Sequence, residues 1–501
     1  MSDDLLVLPF ATQHHQYIYD VVTNRIFYAP EPIAQVLQRY RRQMCEEIEA
    51  ALAPGYSSEA VRTSYARVRC WAEEEGAFFF DPPDAAPEMN EKAYWDSLLR
   101  ERGIDQLFLV ITDNCNLRCR YCIYSGQYGS YRQLGPAVMS FETARMAIDY
   151  YYQLHQRIYL PNRLLYINFY GGEPLLRFDF IKQCVAYARS IEDEHVRFSF
   201  HLTTNGTLLK DTHVDFFREH QFTLVFSLDG PRQEHDRNRV FPNGLGSYDR
   251  VMHALELIRA KDPDYFREHV MLNTVFDQQT DLLALNRFFI EYKDQLPGFG
   301  FVNIQRHGSS QAADNADVQE RRLHQQTELL RQYRLAKTGR EIYDVTFCQR
   351  LLLSLQLIAD RDYTPLGQLR QYAYTGRCLP GSKIAVRPDG TLHMCERINE
   401  RFPIGTVKTG LDFERIRDIV SRYDREVTRN CPRCVAQRFC PVCYAQACTG
   451  NGFDAGVLCR ATPDFFKAQL SYLCSILEEN PDAFNELRVK PRIVKLMQEC
   501  G

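Results

Sequence analysis

The feature that most constrains this chain is a run of three cysteines within eight residues. Cys115, Cys119 and Cys122 follow a C-x3-C-x2-C spacing. Three thiolates placed in this way can hold three corners of a 4Fe–4S cube, whereas a usual cluster site supplies four cysteines. One iron is then left without a protein ligand, and an open coordination position is where a metal site carries out chemistry. The spacing therefore predicts a catalytic iron–sulfur centre.

Short apolar, β-rich segments alternate with amphipathic helical stretches along the middle of the chain. The predicted strands are Gln106–Thr112, Leu164–Tyr170, Val196–Thr203, Phe222–Leu228, His269–Val275 and Phe299–Gln305. The predicted helices between them include Phe141–Gln156, Phe178–Ile191 and Tyr248–Ala260. This alternation favours parallel βα units in an α/β fold, and the apolar runs predict strands buried on both faces. Chemistry in such barrels takes place at the carboxyl ends of the strands.

Glycine-rich and polar motifs stand where these predicted strands end. The second strand ends in Tyr-Gly-Gly-Glu-Pro at 170–174, where two glycines let the backbone approach a ligand closely. The other motifs are Thr203-Thr204-Asn205-Gly206, Ser227-Leu228-Asp229-Gly230 and, on the fifth strand, Asn273. All of these residues are also ordinary turn formers. The stretch that follows, with His235, Asp236 and Arg239, is equally well interpreted as a solvated polar loop.

The cysteine run, with an aromatic residue before its third cysteine, resembles the signature of radical S-adenosylmethionine (radical SAM) enzymes. The resemblance implies a partial (β/α)6 barrel, with Cys115, Cys119 and Cys122 as catalytic cluster ligands and SAM chelated by the open iron. It also implies SAM contacts at the strand ends and beside the cluster. These cofactor-binding candidates are Tyr121, Gly171, Gly172, Glu173, Thr203, Asn205, Ser227, Asp229 and Asn273. The stretch at 235–239 is similar to one in peptide-modifying members.

A second group of cysteines lies downstream, and its C-x2-C pairs are typical of metal ligands, with zinc as the alternative metal. Its order resembles the SPASM extension of radical SAM proteins, which implies two auxiliary 4Fe–4S clusters and three clusters in all. The resemblance assigns Cys378 and Cys395 to the first auxiliary cluster. It assigns the second auxiliary cluster to Cys431, Cys434, Cys440 and Cys459.

The spacing departs from the SPASM pattern at one place, because Cys440 and Cys443 enclose two residues where three are usual. Either Cys443 or Cys448 is then the remaining ligand of the first auxiliary cluster, and Cys443 is preferred. Cys348 is a distant candidate for a fourth ligand. If Cys348 is not a ligand, one iron of that cluster is open to substrate. This second arrangement is the expected one, in which Cys348 is a buried structural cysteine.

Residues 1–85 carry no cluster motif. Tyr17–Asp20 and Arg25–Tyr28 flank a possible turn and predict a β-hairpin, followed by helical stretches at Pro32–Leu52 and Ser57–Gly76. This layout resembles the winged-helix recognition element of maturases of ribosomally made peptides (RiPPs), which binds a leader peptide as an added strand. The alternative is an accessory domain that packs on the barrel.

Composition completes the predicted organisation. The net charge is only −4 and there is no long basic run, which argues against nucleic acid as a partner. An apolar stretch long enough for a membrane span is absent from the sequence, and no signal peptide is recognised, so a cytoplasmic location is expected. The predicted domains are a winged-helix-like α+β recognition element at 1–85, a linker at 86–104, the radical SAM partial barrel at 105–308, a helical bridge at 309–375, a cysteine-rich SPASM domain at 376–470 and a helical tail at 471–501.

Together the resemblances imply a radical SAM/SPASM peptide maturase that installs a thioether or carbon–carbon cross-link in a precursor peptide. Its partners would be a precursor peptide with a leader and an electron donor such as flavodoxin or ferredoxin. Two alternatives remain open. One is an anaerobic sulfatase maturase, which oxidises Cys or Ser to formylglycine, and the other is a non-catalytic zinc-binding interaction protein.

Overall fold

The structure, a computed structural model, describes residues 5–80, 104–125, 132–156, 163–303, 316–344, 346–363, 365 and 383–484. Its strands form a three-stranded antiparallel sheet near the N-terminus and a ten-stranded sheet through the rest of the chain. The strands are β1 Val7–Ala11, β2 Gln16–Asp20, β3 Arg25–Tyr28, β4 Gln106–Thr112, β5 Arg163–Gly171, β6 Val196–Thr204, β7 Thr223–Ser227, β8 Val270–Phe276, β9 Gly298–Asn303, β10 Lys383–Val386, β11 Thr391–His393, β12 Pro403–Thr406 and β13 Gly410–Leu411.

The N-terminal sheet has the order β1–β2–β3, so the expected hairpin is joined by a further strand, β1. Helices Glu31–Arg39, Cys45–Leu52 and Ser58–Arg69 follow, and the last continues as a π-helical turn at Cys70–Glu74. The single helix expected over Pro32–Leu52 is therefore wrong. The first helix ends at Arg39, and a new one begins at Cys45. Met44, just before it, is extended, and its backbone N–H donates to the Glu47 carboxylate at 2.9 Å.

Strands β4 to β9 are neighbours in sequence order, and every pairing among them is parallel. The helices that connect them are Phe141–Gln156, Phe178–Ser190, Asp211–Glu219, Arg232–Asn238, Tyr248–Lys261, Pro263–His269 and Leu282–Glu291. Each strand expected from the sequence overlaps one of these six. The α/β prediction is therefore confirmed, because apolar runs separated by amphipathic helices can bury their surfaces only as βα units.

β4 is buried on both faces as expected, since Leu107 to Thr112 are all buried, whereas β5 and β6 differ from that expectation. In β5, Leu165, Ile167 and Phe169 are buried in the main hydrophobic core, whereas Tyr166 and Tyr170 are partly exposed. β6 alternates in the same way. Tyrosine counts as apolar in a composition average, so a run such as Leu-Tyr-Ile-Asn-Phe-Tyr hides a period of two. In β5 and β6, one face of the sheet packs on the helices, and the other face carries polar side chains.

The C-terminal strands extend the same sheet on the β4 side. β10 pairs in parallel with β4, with Lys383 opposite Gln106, and β11, β12 and β13 follow as antiparallel neighbours. The remaining helices are Ala316–Lys337, Thr346–Leu351, Leu353–Ala359, Phe413–Glu426, Tyr444–Ala447 and Gly456–Glu479.

The N-terminal sheet also packs against the C-terminal part of the chain. The Tyr19 ring is fully buried, 5.0 Å from that of Phe466 in the last described helix. The Arg438 side chain donates to the carbonyl oxygens of Val21 and Val22 at 2.6 and 2.8 Å. Residues on this sheet therefore belong to the main core as well as to the N-terminal core. Among the described helices, none has the length and apolarity needed to cross a membrane.

Candidate functional site

The cysteine run forms the loop that follows β4, and the end of β5 fixes it. The backbone N–H of Gly172 donates to the Thr112 carbonyl at 2.8 Å, and that of Glu173 donates to the Asn114 carbonyl at 2.9 Å. A Cβ on Gly171 would lie 2.3 Å from the Thr112 oxygen, and one on Gly172 would lie 2.1 Å from the Asn114 oxygen. Both positions therefore require glycine, because the two backbones touch. SAM contact at these glycines stays a prediction.

Glu173 is buried, and both of its carboxylate oxygens accept hydrogen bonds. Oε1 accepts from the Leu175 N–H at 2.9 Å and the Thr204 hydroxyl at 2.7 Å, and Oε2 accepts from the Asn205 N–H at 2.8 Å. Burial raises the pKa of this carboxyl, and the three donors oppose that effect. In this structure Glu173 joins the end of β5 to the end of β6. Its predicted contact with the SAM amino group is not tested by these contacts.

Each sulfur of the run accepts an N–H hydrogen bond. Cys115 Sγ accepts from the Leu117 N–H at 3.4 Å and the Asn205 side-chain amide at 3.8 Å. Cys122 Sγ accepts from the Tyr124 N–H at 3.4 Å, and Cys119 Sγ lies 3.9 Å from Nη1 of Arg239.

Burial dominates the acidity of these thiols. It raises the pKa of Cys115 to about 12, helped by the nearby Glu173 charge, and that of Cys119 to about 11, against the opposing Arg239. The thiols are therefore protonated near neutral pH, and a bound metal is what would deprotonate them.

The donor set of this loop fits a 4Fe–4S cluster. The Cys115 pKa is also raised by Cys119 and Cys122, which places the three sulfurs near one another. Thiolates are the ligands that iron–sulfur clusters take, and hydrogen bonds to their sulfurs are a usual feature of such sites. Within the described parts of the chain, no three His, Cys, Asp or Glu side chains are grouped to hold a single metal ion.

A buried network lies on the other side of the run. The Tyr121 hydroxyl donates to Asp229 Oδ2 at 2.5 Å, and Arg239 Nε donates to the same oxygen at 2.9 Å. Asp229 Oδ1 accepts from the Val275 N–H at 3.1 Å. His235 is also buried, with its Nε2 2.9 Å from the Ser247 hydroxyl. A solvated loop at 235–239 is therefore wrong, because these side chains are internal.

The other strand-end candidates lie on adjacent strands. Ser227 at the end of β7 is the register partner of Asn273 on β8, and Thr203 on β6 is opposite Val225. Thr203 is partly exposed, and Ser227 is 8% exposed. The structure brings these side chains to neighbouring strand positions, and their contacts with SAM stay predictions.

Four downstream cysteines influence one another's acidity. Burial raises the pKa of Cys431 to about 12, and the next largest influences come from Cys434, Cys440 and Cys459. The Cys440 pKa is raised to about 11 by burial and then by Cys434, Cys459 and Cys443. Cys431, Cys434, Cys440 and Cys459 are up to 28 residues apart in the chain, and a cluster shared by these four stays a prediction.

The residues predicted for the first auxiliary cluster are only partly placed. Cys378 lies outside the described residues, and Cys395 follows β11, with its sulfur accepting from the Arg397 N–H at 3.2 Å. Cys443 precedes the helix Tyr444–Ala447 and exchanges capping hydrogen bonds with its Gln446. Cys448 is 4% exposed within the main core. The choice between Cys443 and Cys448 stays open.

Cys348 is buried in the helix Thr346–Leu351. It is 1% exposed, and its thiol donates to the Leu329 carbonyl at 3.8 Å. Burial raises its pKa to about 12. These are the surroundings of a structural cysteine in an apolar core.

An ion-pair network that the sequence did not reveal joins the cysteine loop to the C-terminal strands. Arg387, just after β10, pairs with Asp113 at 3.2 Å and with Glu400. Arg132 donates to the Ile398 carbonyl at 3.2 Å, and both arginines reach the Tyr124 hydroxyl, at 3.4 and 3.5 Å. Both guanidinium groups are buried. Arginines of this kind carry no local sequence signal, because Ile398, the partner of Arg132, and Asp113, a partner of Arg387, lie more than 200 residues away.

The sequence of the region around β4 to β9 matches a known family. Residues 109–285 match the model of the Radical SAM superfamily. The chain carries a radical SAM domain. A serine-type anaerobic sulfatase-maturating enzyme of Bacteroides thetaiotaomicron is 33% identical over 150 residues, which are 29% of this chain and 34% of that protein. The radical SAM cyclopropyl synthase TigE of Paramaledivibacter caminithermalis is 23% identical over 183 residues, 35% of this chain and 36% of that one.

A solved structure has the same fold as this chain. It is described as native anSMEcpe with bound AdoMet and the Cp18Cys peptide, with a TM-score of 0.51, 18% sequence identity, and coverage of 79% of this chain and 99% of that chain. The chain spans about a third of the length of the two curated relatives. The predicted radical SAM domain is confirmed, and this family implies a 4Fe–4S cluster and SAM.

Proposed function

We propose that this radical SAM enzyme is a peptide maturase that installs a thioether or carbon–carbon cross-link in a ribosomally made precursor peptide. The observation that carries the proposal is the N-terminal sheet with its own helices and core, seated against the C-terminal part of the chain. A module of this kind suits a peptide that must be held while another segment of it reacts. The sequence relative named as a cyclopropyl synthase supports the same class of chemistry.

The edge of β3 is where a leader peptide would add. Within the described residues, β3 pairs with β2 alone. The Ala29 N–H donates to the Gln16 carbonyl at 3.0 Å, so by antiparallel alternation the N–H groups of Ile26 and Tyr28 point away from β2. An extended leader would accept these hydrogen bonds as an added strand.

The chemistry at the cysteine run follows from what the family's cofactors supply. With SAM bound, a reduced 4Fe–4S cluster supplies a 5′-deoxyadenosyl radical that abstracts a hydrogen atom. Cys115, Cys119 and Cys122 would hold that cluster. Glu173 and Asn205 keep the loop in position through their backbone and sulfur contacts. Residues of the strand ends would bind SAM, namely Tyr121, Gly171, Gly172, Thr203, Ser227, Asp229 and Asn273.

The downstream cysteines would hold two auxiliary clusters, giving three clusters in all. Cys431, Cys434, Cys440 and Cys459 would bind one of them, and the influence of these thiols on one another's acidity supports this assignment. Cys378 and Cys395, with Cys443 or Cys448, would bind the other. We infer that an electron donor such as flavodoxin or ferredoxin supplies the reducing electron, and that the domains follow the boundaries predicted from the sequence.

A second candidate function is the oxidation of a Cys or Ser residue to formylglycine. The observation that favours it is the 33% identity to the serine-type sulfatase-maturating enzyme. Serine oxidation and cross-linking both remove two hydrogen atoms from the peptide, so mass alone does not separate them. A formylglycine aldehyde reacts with a hydrazide probe, whereas a cross-link resists the probe and blocks fragmentation between the joined residues.

The experiment uses the full-length enzyme, reconstituted anaerobically, with SAM, a reductant and two peptides. One peptide is the precursor encoded beside the gene, and the other carries a sulfatase-type Cys or Ser site. A hydrazide-unreactive product from the precursor supports the maturase. A hydrazide-reactive product from the sulfatase-type peptide alone overturns it. Metal analysis separates both from a zinc protein, since three clusters require about twelve irons.

The radical site has its own test. Replacing Cys115, Cys119 and Cys122 together with Ala should remove about four irons and abolish 5′-deoxyadenosine formation, because these thiols would be that cluster's protein ligands. Cys184→Ala, a change in a fully buried cysteine of the helix Phe178–Ser190, is the matched control. Deoxyadenosine formation retained in the triple variant refutes the assignment.

A further inference from the structure

Arg239 places a fixed positive charge beside the cysteine run. Arg239 is 7% exposed, and its Nη1 lies 3.9 Å from Cys119 Sγ. Nε donates to Asp229 Oδ2 at 2.9 Å, and the guanidinium carbon lies 5.3 Å from the centroid of the Tyr121 ring. An arginine side chain is not deprotonated in proteins, so this charge is permanent.

The backbone of Arg239 is held as firmly as its side chain. The Arg239 N–H donates to the His235 carbonyl at 2.9 Å, and the Ser247 hydroxyl donates to the Arg239 carbonyl at 2.9 Å. The Arg118 N–H also donates to the carbonyl of the next residue, Val240, at 2.7 Å. The charge therefore stays at one distance from the loop that carries Cys119.

The contacts to the other two sulfurs are of a different kind. Cys115 accepts from a backbone N–H and the neutral Asn205 amide, and Cys122 accepts from a backbone N–H. Arg239 thus places a formal positive charge next to a sulfur of the run, whereas the backbone N–H groups and the Asn205 amide are neutral dipoles. Charge and hydrogen bonds at the sulfurs are what a protein uses to set the potential of an iron–sulfur cluster.

We propose that Arg239 is a positioning residue that raises the reduction potential of the 4Fe–4S cluster bound at Cys115, Cys119 and Cys122. This inference rests on the proposed function, because it requires a cluster at that loop. Reduction brings one electron from a low-potential one-electron donor to the oxidised cluster, with no proton transferred. The site gains one negative charge, which a fixed cation next to Cys119 stabilises. The enzyme then needs a less strongly reducing donor.

Substitution of Asp229 should change the reduction potential in the opposite direction to substitution of Arg239. The Asp229 carboxylate is 2% exposed and partly offsets the Arg239 charge at 2.9 Å. Asp229→Asn should therefore raise the potential, because the guanidinium loses its counter-ion. Arg239→Gln should lower it, because a neutral amide replaces the cation. A purely structural role for the pair predicts no such reversal of sign.

The test is a redox titration of the reconstituted full-length protein without SAM, followed by electron paramagnetic resonance. Subtracting the spectrum of the triple cysteine variant isolates the radical-site cluster from any auxiliary clusters. We expect Arg239→Gln to make reduction at least tenfold less favourable, a shift of about 59 mV for one electron. Arg239→Lys, which keeps the charge, should shift it less.

Arg237→Gln is the matched control, because Arg237 lies two residues before Arg239, on the helix Arg232–Asn238, and pairs with Glu234 and Asp277 at 3.0 Å. The reduction potential of the cluster in this variant should equal that in the wild type. An unchanged potential in Arg239→Gln overturns the inference, as does a shift of the same sign in Asp229→Asn. If Arg239→Gln fails to retain iron, the Asp229→Asn and Arg239→Lys variants decide. If the triple cysteine variant gives the same paramagnetic resonance spectrum as the wild type, no cluster is bound at the cysteine run. That result contradicts the proposed function and not this inference alone.

Discussion

His155 carries a pH dependence that follows from its burial. It lies in the helix Phe141–Gln156, 2% exposed, with Nε2 2.8 Å from the Ile104 carbonyl oxygen. Burial, and then the Arg163 charge, lower its pKa to about 3. A folded pKa below the unfolded value near 6.5 means that the unfolded chain binds the proton more tightly. The stability that neutral His155 contributes is thus present above pH 6.5 and is lost as pH falls towards 3.

We therefore expect the free energy of unfolding to fall by about 1.4 kcal/mol at pH 5.5 through this residue alone. His155→Gln should show a smaller loss between pH 7.5 and 5.5, measured as the midpoint of thermal unfolding. His195→Gln, at a surface histidine with a half-exposed side chain, is the control. An equal pH dependence in wild type and His155→Gln would contradict the assignment.

Cys348 would decide how many protein ligands the proposed first auxiliary cluster has. Its thiol is bonded to Leu329 within the apolar core. Cys348→Ala should leave iron content and peptide modification unchanged and cost about 1 kcal/mol of stability for the small cavity. That cluster then keeps an iron open to a substrate thiolate, which favours a thioether product. Loss of about four irons on substitution, measured by iron analysis, would make Cys348 a ligand and favour carbon–carbon coupling.

At the scale of elements, the edge strand β3 can be tested without removing the N-terminal module. Tyr28 is half exposed, and its backbone N–H points away from β2. Tyr28→Pro removes that donor, and we expect leader-peptide affinity to fall about tenfold, measured by fluorescence anisotropy, as lost edge hydrogen bonds would require. Tyr28→Ala keeps the donor and isolates the loss of the ring. Equal affinity of the Pro and Ala variants would exclude strand addition at this edge.

At the scale of the whole molecule, the N-terminal sheet and the last described helix share one core. The Phe466 ring lies 5.0 Å from Tyr19 and 5.1 Å from Phe439, the residue before Cys440. Deleting residues 1–85 would expose these rings, so a deletion disturbs more than peptide recognition. A point change is the sharper experiment.

Phe466→Ala should cost about 3–4 kcal/mol, because the residue is 2% exposed and its ring fills the contact. Hydrogen exchange of residues 5–22 should accelerate while exchange in β5 and β6 stays unchanged. Phe465→Ala is the matched control, since this neighbouring ring is 58% exposed. Uniform acceleration over the whole chain would mean global destabilisation, and no acceleration would mean that the sheet is held elsewhere.

The sequence by itself determined what depends on neighbouring residues. The spacing of Cys115, Cys119 and Cys122, and the apolar runs that became β4 to β9, are local patterns, since hydrophobic periodicity and turn residues act over a few positions. The glycines at 171 and 172 were predicted to let the backbone approach a ligand, and the close approach in the structure is to the backbone of Thr112 and Asn114. A cluster shared by Cys431, Cys434, Cys440 and Cys459 stays a prediction from their spacing and the family resemblance.

Only the tertiary structure decided which distant groups meet. Arg239 reaches Cys119 across 120 positions, and Glu173 holds the loop of Asn205 rather than standing free at the strand end. Likewise, β10 pairs with β4 although about 270 residues separate them. Such contacts follow from how helices and strands pack to bury their apolar faces and to satisfy their buried polar groups, and no window of neighbouring residues contains that information.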